Sequence, residues 1–152
     1  MEIFKDWFNG IIVAVLTAVS IFIYNNYLHP LILGIIQSAP TLRGSWLGYD
    51  IDKDGNEIRT SKMEIKQIGT KIYASVNRHN DKGDRIFKYK GTVSSGQVVL
   101  IWKESKSHGY NMGTMTLLLS GDLKSLKGKT TFNHHDLGKI ISQDKIYKRE
   151  SY

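Results

Sequence analysis

The pattern of hydrophobic and polar positions divides this chain into two parts suited to different solvents. Residues 10–36 are almost wholly apolar, and they include a stretch, 11–24, broken only by Thr17 and Ser20. No fully charged residue stands between the Lys5-Asp6 pair and Arg43. Beyond Arg43 the pattern becomes alternation. In Lys62-Met63-Glu64-Ile65-Lys66 and Ile72-Tyr73-Ala74-Ser75-Val76-Asn77 the side chains switch face at every residue, which is the period of a strand with one buried side. Segments with strand character cover 44–51, 59–67, 71–78, 85–93, 97–104, 111–120, 128–133 and 139–149. Turn residues such as Asp54-Gly55-Asn56, Ser94-Ser95-Gly96 and Gly121-Asp122 separate them. No stretch after Arg43 has a helical period.

Short strands at regular spacing predict an all-β fold, a small eight-stranded antiparallel up-and-down barrel. An N-terminal transmembrane helix region precedes it. Residues 1–40 form that region and residues 41–152 the β-barrel ligand-sensing domain. About eight strands suffice to close a barrel around packed side chains or one small ligand. Closure also removes the sheet edges that would otherwise recruit other chains.

A membrane-spanning helix needs roughly 20 apolar residues, which 4–24 or 7–28 would supply. Trp7, Tyr24 and Tyr27 stand where interfacial aromatics are expected. A cleaved secretory signal fits less well. Lys5 is offset by Asp6, the apolar stretch is too long, and the small-residue pair Ser38-Ala39 is followed by Pro40. Asn25-Asn26 and His29-Pro30 then interrupt the apolar run. One reading is a long helix kinked at Pro30; the other is a helical hairpin turning at Asn25-Asn26. The hairpin's second arm would be too short to cross, so one span plus an interfacial segment is expected. Ala14-xxx-Ala18 offers a close-packing face for self-association, or is simple membrane filler.

Charge and composition narrow the chemistry. The chain holds 21 Lys and Arg against 14 Asp and Glu. Setting aside Lys5, Glu2 and Asp6 leaves 20 basic and 12 acidic residues, a net +8, on the barrel domain. Such a balance favours anionic partners, or serves solubility beside a membrane. The absence of cysteine excludes disulfides, thiolate catalysis and zinc–thiolate sites, and fits a cytosolic setting. Arg43, following the apolar segment, favours a barrel facing the cytoplasm by the positive-inside rule.

His134-His135-Asp136 is the one cluster with metal-ligand chemistry, but neighbouring turn residues seldom converge on one ion, so no metal site is expected. Asp50, Asp52, Asp54 and Gly55 look like the start of a calcium loop, yet Ser61 stands where its closing Glu belongs. His79 and His108 lie in turns without a nucleophile. No catalytic residue is assigned, and no enzyme is expected.

Gly44-Ser45-Trp46 resembles the G-x-W signature of lipocalins and related calycin barrels. That resemblance implies that Trp46 plugs the closed end, with Arg149 or Lys148 packed over its ring. Taken whole, the chain resembles the transmembrane β-barrel effectors of bacterial CBASS antiphage systems. The likeness rests on the order and size of the parts, on Leu42-Arg43-Gly44-Ser45-Trp46-Leu47-Gly48 and on Met63-Glu64-Ile65-Lys66-Gln67. It implies a receptor in the inner membrane whose barrel binds a cyclic dinucleotide second messenger and no DNA or RNA polymer. Binding would drive homo-oligomerisation of the membrane segments, disruption of the bilayer and cell death. No cofactor beyond the activating ligand is implied. Family members usually have two membrane helices, a departure here. Two phosphates and two bases call for cations beside aromatic faces. Tyr49, Tyr73, Tyr89, Trp102 and Tyr110 lie among many basic residues. Tyr73, out of phase with Ile72 and Ala74, is expected outside the barrel. Arg78 and Trp102 are the leading ligand-binding candidates, with Tyr110 and Thr131 behind them. The rival readings are a membrane-tethered calycin-like carrier of a small apolar ligand and a structural envelope protein. A phosphate site should be lined by Arg, Lys, Ser and Thr, whereas a lipid site should be apolar throughout.

Overall fold

The computed structural model describes residues 2–36, 39–52, 54–80, 83–105, 111–134 and 138–150. Helix α1 (Glu2–Ile23) continues through a π-helical turn (Tyr24–Leu28) into α2 (His29–Ile36). The hairpin turn considered at Asn25-Asn26 is absent: these residues widen the helix and do not reverse it. In the wider turn the His29 amide donates to the Tyr24 carbonyl, five residues back. Polar side chains inside the helix bond its own backbone. Thr17 Oγ1 donates to the Val13 carbonyl at 2.8 Å and Asn26 Nδ2 to the Phe22 carbonyl at 2.9 Å. That satisfies them where no water would be at hand.

The apolar stretch Trp7–Ile36 spans 30 residues and is long and apolar enough to cross a membrane. Val13, Leu16, Ile21 and Phe22 are exposed around its circumference, a surface that water does not solvate well. At about 1.5 Å per residue it is roughly 45 Å long, more than a hydrocarbon core of about 30 Å requires. The excess is its C-terminal third, which is held by the barrel.

Eight strands follow: β1 (Gly44–Ile51), β2 (Glu57–Ile68), β3 (Lys71–Asn80), β4 (Gly83–Ser94), β5 (Gln97–Glu104), β6 (Met112–Leu119), β7 (Ser125–His134) and β8 (Lys139–Arg149). Each pairs antiparallel with its sequence neighbours, and β8 returns to β1, closing the barrel. The alternation seen in the sequence is the inside–outside alternation of the wall. Met63 and Ile65 on β2, and Ile72, Ala74 and Val76 on β3, are buried, while Tyr73 faces outward. A bulge opposite Gly48 and Tyr49 leaves Thr60 without a pairing partner on β1.

Large side chains fill the end of the barrel nearest the helix. Trp46, Met63, Ile72, Leu100, Leu117 and Leu126 are fully buried there. Arg149 pairs with Trp46 across the β1–β8 ladder and places its guanidinium 5.1 Å from the ring. Trp46 Nε1 donates to the Leu42 carbonyl at 2.9 Å, so the indole is buried with its polar atom satisfied. Gln67 ties the linker to this end, accepting from the Leu42 amide at 2.7 Å and donating to the carbonyls of Pro40 and Gly69.

The helix rests on the β2–β3 turn. The Thr70 amide donates to the Pro30 carbonyl at 3.1 Å. Gly69 has φ +56°, and a Cβ there would lie 1.8 Å from the Pro30 carbonyl oxygen. Only glycine permits both the turn and the contact.

Candidate functional site at the barrel mouth

Bulky residues do not fill the end remote from the helix. A cavity of about 300 Å³ opens there, at the small end of the range for small-molecule sites. Its polar lining comes from five strands and is organised by two carboxylates. Asp50 on β1 accepts from Arg78 Nη2 on β3 at 2.7 Å, and its other oxygen accepts from Lys145 Nζ on β8. Glu104 on β5 takes Arg85 of β4 as a two-pronged pair, Nε and Nη2 each at 2.7 Å, and also accepts from Asn111 Nδ2. Three cations against two carboxylates leave the mouth with an excess positive charge.

The surroundings shift several protonation equilibria. Burial holds the Lys145 ammonium below its ordinary range; Asp50 opposes that shift and Arg78 adds to it. Hydrogen bonding from Arg85 holds the Glu104 carboxyl below the usual carboxylate range, with Asn111 helping and burial opposing. Burial pushes the phenols of Tyr89 and Tyr147, at the cavity floor, up from their ordinary range, so both stay protonated.

Trp102 is the centre of an aromatic wall. Phe87 meets it edge-on at 5.4 Å and 86°, and Tyr89 and Phe132 lie 6.3 and 6.1 Å away. Its Nε1 donates to Thr130 Oγ1 at 3.0 Å, and that hydroxyl donates to the Thr114 carbonyl at 3.1 Å. Gly113, opposite Trp102 on β6, makes room for the indole: a Cβ there would come within 2.8 Å of the ring. At the rim His134 Nδ1 is buried with no hydrogen-bond partner among the described residues.

Arg78 and Trp102 therefore line the same cavity. Thr131 does not: it sits out of phase with the lining residues Thr130 and Phe132, so its side chain belongs to the outer face. Tyr110 lies outside the described residues, as do His108, His135 and Asp136. Tyr89 joins the cavity, whereas Tyr73 is on the outer wall and Tyr49 lies beneath Lys148, 5.1 Å from its ammonium. Asp50 is an interior ion-pair residue, and Asp52 closes the hairpin by accepting from the amides of Asp54 and Asn56.

Sequence reasoning missed Asp50, Arg85, Lys145 and Tyr147. For Lys145 the phase of β8 was ambiguous, because Ile140, Ile141 and Ile146 occupy both parities. The inward phase of Phe87 and Tyr89 would have pointed to Arg85, two positions earlier.

No family model matches the chain, and no curated protein sequence matches it. The geometry defines a class instead. It is a closed eight-stranded barrel bearing an N-terminal helix apolar and long enough to cross a membrane. Cations and aromatic rings share a cavity at the mouth, remote from the helix.

Proposed function

We propose that this protein is a membrane-anchored receptor for a cyclic dinucleotide and acts in antiphage defence. The observation that carries the reading is the shared cavity of Arg78, Arg85 and Lys145 with Phe87, Tyr89, Trp102 and Phe132. Guanidinium and ammonium groups suit phosphate, and ring faces suit nucleobases. Ser61 and Gln143 add hydrogen-bonding groups of the kind that read base edges. An apolar cargo would leave these polar groups and two ion pairs without solvent, which argues against a lipid carrier.

The receptor does no chemistry of its own. Its apolar helix anchors it in the inner membrane with the barrel in the cytoplasm, where a nucleotide signal is made. Occupancy of the barrel favours an assembled state, and the membrane helices of several copies then disrupt the bilayer. This requires only that ligand bind the assembled form more tightly than the single copy. The resemblance to CBASS β-barrel effectors supports that sequence of events.

The test is a thermal-shift panel of cyclic di- and trinucleotides on the purified full chain. At about 100 times the dissociation constant a specific ligand adds about 2.7 kcal/mol, a shift of several degrees in a domain of this size. One responding nucleotide, lost in both Arg78→Ala and Trp102→Phe, supports the receptor. Silence across the panel on folded protein overturns it.

A further inference from the structure

A second concave surface lies outside the barrel, in the corner between the helix and the wall of β3–β5. It is a groove of about 670 Å³ bounded by Asn26 on the helix and by Lys71, Tyr73, Lys88, Lys90 and Lys103 on the wall. The outward side chains of this wall are Lys71, Tyr73, Ser75 and Asn77 on β3, Lys88, Lys90 and Thr92 on β4, and Val99, Ile101 and Lys103 on β5. None is acidic; the nearest outward carboxylate on these strands, Asp84, is at the far rim.

The lysines are arranged against the barrel's own stability. Lys88 and Lys103 are direct cross-strand partners, and like charges so placed repel. Lys88 has only a 3.3 Å hydrogen bond to Ser75 Oγ, and Lys90 and Lys103 form no ion pair among the described residues. Between them stand exposed apolar groups: Ile101 is 59% exposed and Met112, at the groove's edge, 54%. Lysines mixed with tyrosine and aliphatic side chains suit a bilayer interface, where one part of the surface meets phosphate and the other acyl chain. The helix places the groove at that depth. A span beginning at Trp7 leaves the hydrocarbon after about 20 residues, at the Tyr24–Tyr27 turn that forms the groove's helical side.

We propose that this groove is a headgroup site for anionic phospholipid, with the phosphate on Lys88, Lys90 and Lys103 and the upper acyl chain against Tyr73 and Ile101. The site fixes the tilt of the barrel on the membrane and leaves the nucleotide cavity facing away from it. It rests on the membrane-anchored reading of the helix and is independent of what the cavity binds.

The test uses the full chain in nanodiscs of phosphatidylcholine alone or with phosphatidylglycerol, without nucleotide, after alkaline extraction has shown the chain to be integral. Acylation of each lysine by an amine reagent is followed by mass spectrometry. Phosphatidylglycerol should slow labelling of Lys88, Lys90 and Lys103 and leave Lys127 and Lys129, on the outer face of β7, unchanged. The K88Q/K90Q/K103Q variant should lose co-purified phosphatidylglycerol, with affinity down on the order of 100-fold at about fivefold per lysine. Equal labelling in both discs overturns the proposal. So does equal protection of Lys127 and Lys129, which is diffuse attraction, or protection by inorganic phosphate in phosphatidylcholine discs, which is a soluble-anion site. A chain released by alkaline extraction sinks the membrane anchor and this site together, while a silent nucleotide panel leaves both standing.

Discussion

Lys71 Nζ donates to the carbonyl of Asn25 at 2.6 Å, joining the first residue of β3 to the π-helical turn. In the register of that turn the donor to Asn25 would be the amide of residue 30, and residue 30 is proline. A barrel lysine thus satisfies the carbonyl that the helix leaves open. The contact sits beside the Pro30–Thr70 hydrogen bond and the close approach of Gly34 to Gly69, so helix and barrel are joined at three adjacent points.

This junction is where Gly69→Ala should act. The added methyl collides with the Pro30 carbonyl, and the positive φ is strained for alanine as well. The expected result is a folded barrel with unchanged nucleotide affinity and little or no toxicity on ligand production. Calorimetry and a growth assay on the same variant check the two halves. Toxicity equal to wild type would show that the signal does not pass through this contact.

Asp50 holds Arg78 and Lys145 together in the cavity, and its neutralisation should separate stability from affinity. Asp50→Asn leaves two cations without their carboxylate. The cost should fall toward the low end of the roughly 3–5 kcal/mol for breaking a buried pair, because Arg78 is partly exposed. An anionic ligand should bind this variant more tightly than wild type, since it no longer competes with Asp50. A lower Tm without ligand and a larger ligand-induced shift, measured by calorimetry, is the expected pair of results.

Lys145 also makes a pH signature. Its ammonium is held below the ordinary lysine range in the folded barrel, mainly by burial. Between that folded value and the ordinary 10.5, the unfolded chain binds more protons, so stability without ligand should rise with pH across this window. Affinity for an anion should run the other way, greatest below the folded value and declining as pH rises through it. Lys145→Arg, which stays charged, should flatten both profiles. Urea titrations and binding isotherms across the alkaline range measure them.

At the closed end, Trp46→Ala removes the largest fully buried side chain and should cost about 3–5 kcal/mol. Arg149 lies over the outer side of that ring, and its cation–π contact should account for only about 0.5–1 kcal/mol. Arg149→Lys also loses the guanidinium hydrogen bonds to the carbonyls of Thr41 and Arg43, which loosens the linker to the helix. Chemical denaturation should therefore rank Trp46→Ala far below Arg149→Lys in stability.

The strand plan was legible because burial alternates with period 2 and turn residues interrupt it. The ends of β1, β5 and β8 agree with the pattern, while β2, β3, β4 and β7 extend further into residues that the turn chemistry beside them had assigned to loops. The cavity was legible only in part. Trp102 stood out as a ring among lysines, and Arg78 as the cation closest to a strand end. Nothing in the sequence marks which of the adjacent Thr130 and Thr131 faces inward; hydrogen bonding of Thr130 to Trp102 and to the Thr114 carbonyl decides it.

Two properties of this protein therefore follow from the sequence by itself: the division into a long apolar helix and a polar-faced barrel, and the number and direction of the strands. Both are set by local periodicity and by the solvation cost of each side chain. Which residues meet was decided by closure. Asp50 touches Lys145, 95 positions away, because β8 returns to β1 and one register aligns them. The groove beside the helix exists because Pro30 seats on Gly69. Such contacts depend on register, bulge and the volume left between packed side chains, and those are properties of the assembled barrel.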